Sequence, residues 1–222
     1  MKLYVAPFAP NPMRVQILML EKGIAAELID VSLARDDDYL KLNPLGQVPA
    51  LETDDGQLIT ESLTICQYLD AISGPPFLFG AEPAERARIG MWERRAELAL
   101  FVPSVEYGHH THVMFAGRIE QHPQWAKTLV PKALKMLDVM AGQLERTRYL
   151  AGDTISAADF TAALGYFGLL AFGAIAPVQH GSVQAWSQGM LARPSMAPLS
   201  KAAEFLKGTS GPGQPIVTLR EA

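Results

Sequence analysis

The sequence predicts an α/β half followed by an all-helical half, and three observations carry that expectation. Residues 2–72 alternate short apolar runs with helical patterns in the order strand, helix, strand, helix, hairpin, helix. Ser73-Gly74-Pro75-Pro76, continuing to about Pro83, has the composition of a linker. From Ala84 onward there is no convincing strand, and long helical patterns take over. The expected divisions are therefore 1–74, a linker at 75–83, and an all-helical domain at 84–222.

Lys2-Leu3-Tyr4-Val5 reads as the first strand, followed by a Pro-rich loop. A helix is expected from Pro12 to about Lys22, with Val15, Leu18, Met19 and Lys22 on helical spacing and Gly23 as its stop. Ala26 to Ser32 gives a second strand, and a short polar helix covers Asp37 to Leu42 before Asn43-Pro44 ends it. A hairpin follows: Val48 to Thr53, the turn Asp54-Asp55-Gly56, then Gln57 to Thr60. Ser62 to Ile72 closes the half as a helix with Ile65, Cys66, Leu69 and Ile72 on one face. In the second half, helices are expected at about 84–116, 123–145, 156–175, 182–192 and 196–207, then a Gly/Pro/Ser tail from Gly208 to Pro215.

Composition bounds the function. With 49% hydrophobic and 19% charged residues, the chain reads as a soluble globular protein. A net charge of −4, with no cluster of Lys and Arg, excludes an electrostatic footprint for nucleic acid. The single cysteine, Cys66, precludes an intrachain disulfide, fits a reducing, cytoplasmic setting and is expected in the core. Pro7, Pro10 and Pro12 interrupt any apolar core of a leader peptide near Met1. Thr161 to Gln179 carries no charge, but Gly165, Gly168, Gly173 and Pro177 break it, so it is expected as a buried helix and not a membrane span.

Two motifs are more specific. Gln47-Val48-Pro49 lies between Asn43-Pro44-Leu45-Gly46 and Thr60-Glu61-Ser62-Leu63. An interior strand tolerates proline only at its first residue or an edge, so Pro49 is expected to be cis, with the Val48 backbone facing outward. Glu61-Ser62 opens the next helix, whose unpaired N–H groups and dipole attract a carboxylate. An extended backbone beside an anion-holding helix start suits a small acidic peptide. Plain helix-start chemistry is the alternative for Glu61 and Ser62. The second motif, Gly152-Asp153-Thr154-Ile155-Ser156-Ala157-Ala158-Asp159, is a capping box in which Asp159 reaches back to Ser156.

N-P-x-G-x-V-P, followed about a dozen residues later by E-S, resembles the signature of the cytosolic glutathione S-transferases. The Gly-Asp-x-Ile-Ser-x-Ala-Asp segment is similar to the folding motif of that family's helical domain. The resemblance covers roughly residues 1–205. It implies a thioredoxin-like N-terminal domain, an all-helical C-terminal domain, glutathione as co-substrate and no metal. It also implies that Val48 and Pro49 present their main chain to the cysteinyl unit, with Gln47 beside them, while Glu61 and Ser62 hold the γ-glutamyl end.

The thiolate-stabilising group lies, by that resemblance, in the loop after strand one. This loop, Ala6 to Arg14, holds no Tyr, Ser or Cys, and Tyr4 lies earlier, within the strand. Ala-Pro-x-x-Pro-Asn most resembles a bacterial and fungal (nu-like) branch that uses a Thr and an Asn. Asn11 matches that Asn and is the candidate catalytic residue, while Ala9 stands in place of the Thr. Asn11 before Pro12 also has the form of a simple helix N-cap, and the two readings remain open here. A second-substrate pocket is expected between this loop and the first long helix of the second half, with Phe8, Met13, Tyr107, His110 and Met114 as candidates. His109, His110 and His112 lack a Cys or acidic partner, so no metal is expected.

Conjugation of the glutathione thiolate to a small electrophile is the leading functional expectation. Glutathione-dependent disulfide reduction, or a non-catalytic glutathione-binding module suggested by Ala9, are the alternatives. A homodimer is expected from the resemblance and from the surplus of apolar residues (Ile89, Trp92, Leu98, Phe101, Val105) on the long helix. Neither nucleic acid nor a membrane is an expected partner.

Overall fold

The computed structural model of the chain describes residues 1–31 and 37–209. The predicted end of the second strand at Ser32 and most of the Gly/Pro/Ser tail lie outside the described residues. Two compact units are present, one of residues 1–77 with 194–199, the other of 78–193 and from 200 onward.

The first unit is built on a four-stranded mixed sheet in the order β2-β1-β3-β4. β1 (Lys2–Val5) pairs in parallel with β2 (Glu27–Asp30), Leu3 opposite Leu28. On its other side β1 pairs antiparallel with β3 (Ala50–Glu52), which pairs with β4 (Leu58–Thr60). Between them run α1 (Pro10–Lys22), α2 (Asp37–Leu42) and, after β4, α3 (Ser62–Ser73). This is the thioredoxin-like arrangement. The strands of the hairpin are shorter than predicted, because Pro49 has no N–H to give to a ladder. The turn forms as expected: Thr53 N–H donates to the Gln57 carbonyl at 2.9 Å, and Gly56 takes φ +81°. The Val48–Pro49 peptide is cis, as is Pro75–Pro76, which the sequence did not suggest.

α1 and α3 pack together over the sheet, burying Val15, Ile17, Leu18, Ile65, Cys66 and Leu69 with Leu3 and Leu51. Gly23 ends α1 in the left-handed conformation, φ +65°, returning its amide to the last carbonyls. α1 begins two residues earlier than expected, since Pro10 suits the first helical position. Ile72 departs from the predicted face: it is exposed, one turn beyond the buried Leu69. Lys22 and Asp70, each side chain under 5% exposed, form an ion pair at 2.9 Å between the C-terminal turns of the two helices. The Lys22 ammonium also donates to the carbonyls of Gly74 and Pro76, at 2.6 and 2.5 Å.

The second unit is helical. α4 (Pro83–Ala96), a π-helical turn at Glu97–Phe101 and α5 (Val102–Thr111) replace the single predicted helix. Pro103 lacks the N–H needed for the α-helical ladder, and the chain widens there, with Val102 N–H donating five residues back to Glu97. The run ends at Thr111, because His112 is extended and Val113–Phe115 forms a short 3-10 turn. His109 and His112 therefore do not share a helix face. α6 (Pro123–Lys127) and α7 (Val130–Leu144) are likewise separate. α9 (Gly181–Leu191) and α10 (Ala197–Thr209) complete the set.

α8 (Ala157–Ala171) opens with Asp159 and then enters the uncharged stretch of the sequence, and it is buried on all sides except at Gly168 and Ala171. No helix among the described residues is long and apolar enough to cross a membrane. Its glycines have a packing reason. A Cβ on Gly165 would stand 2.6 Å from the backbone at Leu100 and Phe101, so α8 and the π-turn approach to main-chain contact.

Asp159 holds the start of α8. It is wholly buried, and its carboxylate accepts from the N–H groups of Leu150 and Ser156, the Ser156 hydroxyl and Trp186 Nε1, all at 3.0–3.1 Å. The capping box is thus formed, with two further donors that the motif does not encode. Burial pushes the Asp159 carboxyl above its ordinary range, and those hydrogen bonds oppose it. Losing the carboxylate would leave buried donors unpaired at about 1–3 kcal/mol each. Asp159→Ala is expected to destabilise the fold by more than about 3 kcal/mol in denaturant melts. Asp153→Ala, which removes one exposed contact to Arg148 N–H, is expected to cost under about 1 kcal/mol.

Candidate active site

The first unit brings together the starts of its two long helices. α3 opens at Glu61, whose φ of +64° and ψ of 114° are unusual for a residue with a side chain, and which leaves its own carboxylate in solvent. No side chain caps this end, and the first helical hydrogen bond runs from Ile65 N–H to the Glu61 carbonyl at 2.9 Å. The N–H groups of Ser62, Leu63 and Thr64 are consequently orphan donors at the positive end of the helix dipole.

α1 opens on Ala9, also without a side-chain cap, and with Pro10 and Pro12 in its first turn. The prolines carry no N–H, and Met13 N–H bonds to the Ala9 carbonyl at 3.1 Å. Only Asn11 supplies an orphan backbone donor there. The N-cap account of Asn11 does not hold: the residue lies inside the helix, and its side chain meets α3 instead. Ser62 Oγ donates to Asn11 Oδ1 at 2.8 Å, which leaves the Asn11 Nδ2 hydrogens without a partner among the described residues.

The Gln47–Pro49 segment is held from within. Tyr39 on α2 and Asn43 just after it both donate to the Gln47 carbonyl, at 2.6 Å from the hydroxyl and 2.8 Å from Nδ2. Both residues are buried, so this carbonyl is fixed at two points. Gln47 itself projects into solvent, Pro49 is buried, and Val48 packs against the cluster of Val31, Tyr39 and Ala50. Neither the N–H nor the C=O of Val48 finds a partner among the described residues. Both remain available to an added strand. Sequence reasoning quoted Asn43 within its motif but gave it no role, and it missed Tyr39. The available signal was a Tyr on a short polar helix and an Asn four residues on, just past its end.

The hydroxyl nearest the loop in sequence takes no part. Tyr4 donates to Glu52 at 2.7 Å, and burial with that hydrogen bond pushes its phenol up to about 12. Of the second-substrate candidates, Phe8 is 40% exposed with φ +61°, whereas Met13 is 5% exposed and faces the interior of its unit. Tyr107, His110 and Met114 belong to the helical unit. There His110 Nδ1 accepts from His122 N–H at 3.1 Å, and its ring meets Trp125 edge-on with centroids 4.9 Å apart. His110, His122, Gln124 and Trp125 line an open cleft of about 570 Å³. Burial pushes the imidazoles of His109 and His112 below their ordinary range. Among the described residues, no group of three or more His, Cys, Asp or Glu could hold a metal ion.

Comparison with known proteins decides the family. The model of the glutathione S-transferase N-terminal domain matches residues 3–77, and that of the C-terminal domain matches residues 105–194. The chain belongs to the cytosolic glutathione S-transferase family. It is similar to glutathione S-transferase 2 of Saccharomyces cerevisiae, at 35% identity over 211 residues, 90% of this chain and 89% of that one. Glutathione S-transferase 3 of Zea mays is 31% identical over 226 residues, 88% of this chain and 90% of that one. Among solved structures, a glutathione S-transferase domain-containing protein of Marinobacter aquaeolei superimposes with a TM-score of 0.83 at 33% identity. It spans 89% of this chain and 100% of that one. Gtt2 from Saccharomyces cerevisiae gives 0.81 at 33% identity, over 90% of this chain and 100% of that one. As a glutathione transferase, the enzyme takes glutathione as its substrate.

Because Tyr39 and Asn43 fix the Gln47 carbonyl, they should act on glutathione without touching it. Tyr39→Phe removes one of the two donors, and the expected loss is about 1 kcal/mol, or roughly fivefold in glutathione affinity. Titration calorimetry on the variant and parent measures it directly.

Proposed function

We propose that the enzyme conjugates the thiolate of glutathione to a small electrophilic carbon, using the paired helix starts of its first unit. One observation carries this reading: the 2.8 Å bond between Ser62 and Asn11 sets the uncapped start of α3 beside the uncapped start of α1. An acidic peptide with a nucleophilic sulfur matches that pairing. Its γ-glutamyl carboxylate is received by the N–H groups of the α3 first turn, beginning at Ser62, and Glu61 accepts from its α-ammonium. The cysteinyl main chain pairs with Val48 ahead of Pro49, and Gln47 lies at hand for the glycyl end. Asn11 is the thiolate donor, through Nδ2 and its own backbone N–H.

Magnitudes make a hydroxyl-free site workable. A thiol of pKa about 8.5 is already a few per cent ionised at neutral pH, so lowering it by two units gains at most about 30-fold in thiolate. Phe8 in the first unit, and Tyr107, His110 and Met114 in the second, are the candidates for contact with the electrophile. Met13 is too deeply buried for direct contact. Cys66, the one cysteine of the chain, is buried in the core, so the reacting sulfur is that of glutathione. A buried free thiol also suits a reducing, cytoplasmic setting.

Glutathione at 100 times its dissociation constant should stabilise the fold by about 2.7 kcal/mol, raising the melting temperature by about 5–10 °C. Glu61→Ala should reduce that shift, and turnover of an aryl halide should accompany it in the parent. An unchanged melting temperature at millimolar glutathione would remove the basis of this reading.

The same proposal includes a homodimer. Ile89, Trp92 and Phe101 are spent inside the helical unit, but Met91, Leu98 and Val102 stand 42–48% exposed along the α4–α5 run. A second copy of the chain is the occupant that covers such a stripe by two-fold symmetry. Sedimentation at micromolar concentration should show twice the chain mass, and Leu98→Glu should shift it toward the single chain.

A further inference from the structure

The cleft of the helical unit lies apart from the groups assigned to glutathione. Its lining residues, His110, His122, Gln124 and Trp125, come from α5, from α6 and from the residue before α6. Its volume of about 570 Å³ is within the span of small-molecule sites, about 300–1,000 Å³. The walls are mostly rings, and the rings are not parallel. Trp125 meets His110 at 79° with centroids 4.9 Å apart, and His122 meets His110 at 38° and 5.7 Å. Parallel faces would sandwich a flat ligand, whereas tilted faces make a corner that fits a rounded group. A rounded group drawn to ring faces is a cation.

The charges around the cleft agree. Glu106 Oε2 lies 3.6 Å from His110 Nε2, and Glu120 Oε1 lies 3.5 Å from His122 Nε2. His110 Nδ1 accepts the His122 N–H at 3.1 Å, so the hydrogen of that ring sits on Nε2, facing Glu106. A second hydrogen on the imidazole would break the Nδ1 bond. Among the described residues no Lys or Arg lines the cleft, and Lys127 stands about 200° round α6 from Trp125. Carboxylates thus stand behind aromatic walls with no fixed cation among them, and an anion is disfavoured. A bare ammonium holds its water tightly, whereas alkyl groups on the nitrogen spread the charge and bury apolar surface.

We propose that this cleft binds an alkylated ammonium group. The faces of Trp125 and His122 surround the cation, Glu106 supplies the opposite charge, and the Gln124 amide, which has no partner among the described residues, takes a polar substituent of the ligand. Such binding goes beyond the conjugation proposed above and requires neither glutathione nor Asn11.

Choline and its neutral carbon isostere, 3,3-dimethylbutan-1-ol, share a shape and differ in charge, so together they separate a cation site from an apolar hollow. At pH 8, above the ordinary imidazole range of about 6.5, the N-methyl protons of choline should shift upfield in the ring currents of the cleft and saturate at millimolar concentration. The isostere should bind about tenfold more weakly. Trp125 is 45% exposed, against 5% for Trp92 and Trp186, so tryptophan fluorescence should follow the same titration. Trp125→Leu keeps an apolar side chain without a ring face and should abolish the N-methyl shift, and Glu106→Gln should weaken binding about threefold. Both variants should keep the melting temperature of the parent within about 3 °C, which sets loss of the site apart from loss of the fold. The proposal is overturned if the isostere binds as tightly as choline, if choline does not saturate by about 50 mM, or if Trp125→Leu leaves the shift intact. Phosphatidylcholine vesicles carry the same head on a surface, and the enzyme should stay in solution beside them. Sedimentation with the vesicles that Trp125→Leu abolishes would uphold the ammonium group and assign it to a lipid head.

Discussion

Everything at this site depends on α1 and α3 lying side by side and pointing the same way. The pair is clasped at both ends. Asn11 and Ser62 join the N-terminal turns, and Lys22 and Asp70 join the C-terminal turns. The lengths agree: from Asn11 to Lys22 is about 16 Å of helix and from Ser62 to Asp70 about 12 Å, and a lysine leaning back toward its N-terminus spans the difference. Parallel helix dipoles repel, so the arrangement has a cost. The buried ion pair offsets it at one end, where Lys22 also takes up the Gly74 and Pro76 carbonyls. At the other end two positive termini converge, and an anion is what relieves them.

Donor surplus is the common property of the groups that meet there. The α3 first turn offers N–H groups without a cap, and the first turn of α1, with two of its positions taken by proline, offers the Asn11 amide in both its backbone and side-chain forms. The Gln47 carbonyl, the acceptor that would otherwise compete, is turned inward onto Tyr39 and Asn43. Val48 alone presents a donor and an acceptor together, which is what an extended peptide requires. The site is therefore sorted by polarity before any ligand arrives: a donor with an acceptor at Val48, donors alone at the helix starts.

Much of this was legible in the sequence where the signal was local. Pro49, Gly56, Gly23 and the Ser156–Asp159 spacing each constrain their own backbone, and each formed as read. Misjudged features depended on partners distant in sequence. Ile72 keeps the helical period of Leu69, yet the core ends before it. The long helix predicted from Ala84 is broken by Pro103 into a π-turn, which Gly165, more than sixty residues away, then touches. Asn11 had the local form of an N-cap, and only the placement of α3 shows its side chain facing Ser62. Tyr39 escaped notice because its role lies in reaching the Gln47 carbonyl, a contact made by folding and not by spacing.

The loop carries Ala9 where a hydroxyl could have stood, and thiol chemistry does not demand one. A thiolate needs hydrogen-bond donors, not a base, because the thiol ionises to solvent at neutral pH without assistance. A hydrogen bond to a charged group contributes about 1.5–3 kcal/mol, the equivalent of one to two units of pKa, and an amide supplies it as readily as a hydroxyl. What an amide lacks is a reason to face the right way, since its oxygen and nitrogen ends are nearly the same shape. A serine or tyrosine hydroxyl can rotate its hydrogen toward the sulfur, whereas an asparagine must be oriented by something else. In this enzyme the acceptor end of Asn11 is occupied by a buried hydroxyl on the neighbouring helix. That hydrogen bond ties the one side-chain amide of the α1 first turn to α3, and it is the N-terminal half of the α1–α3 clasp.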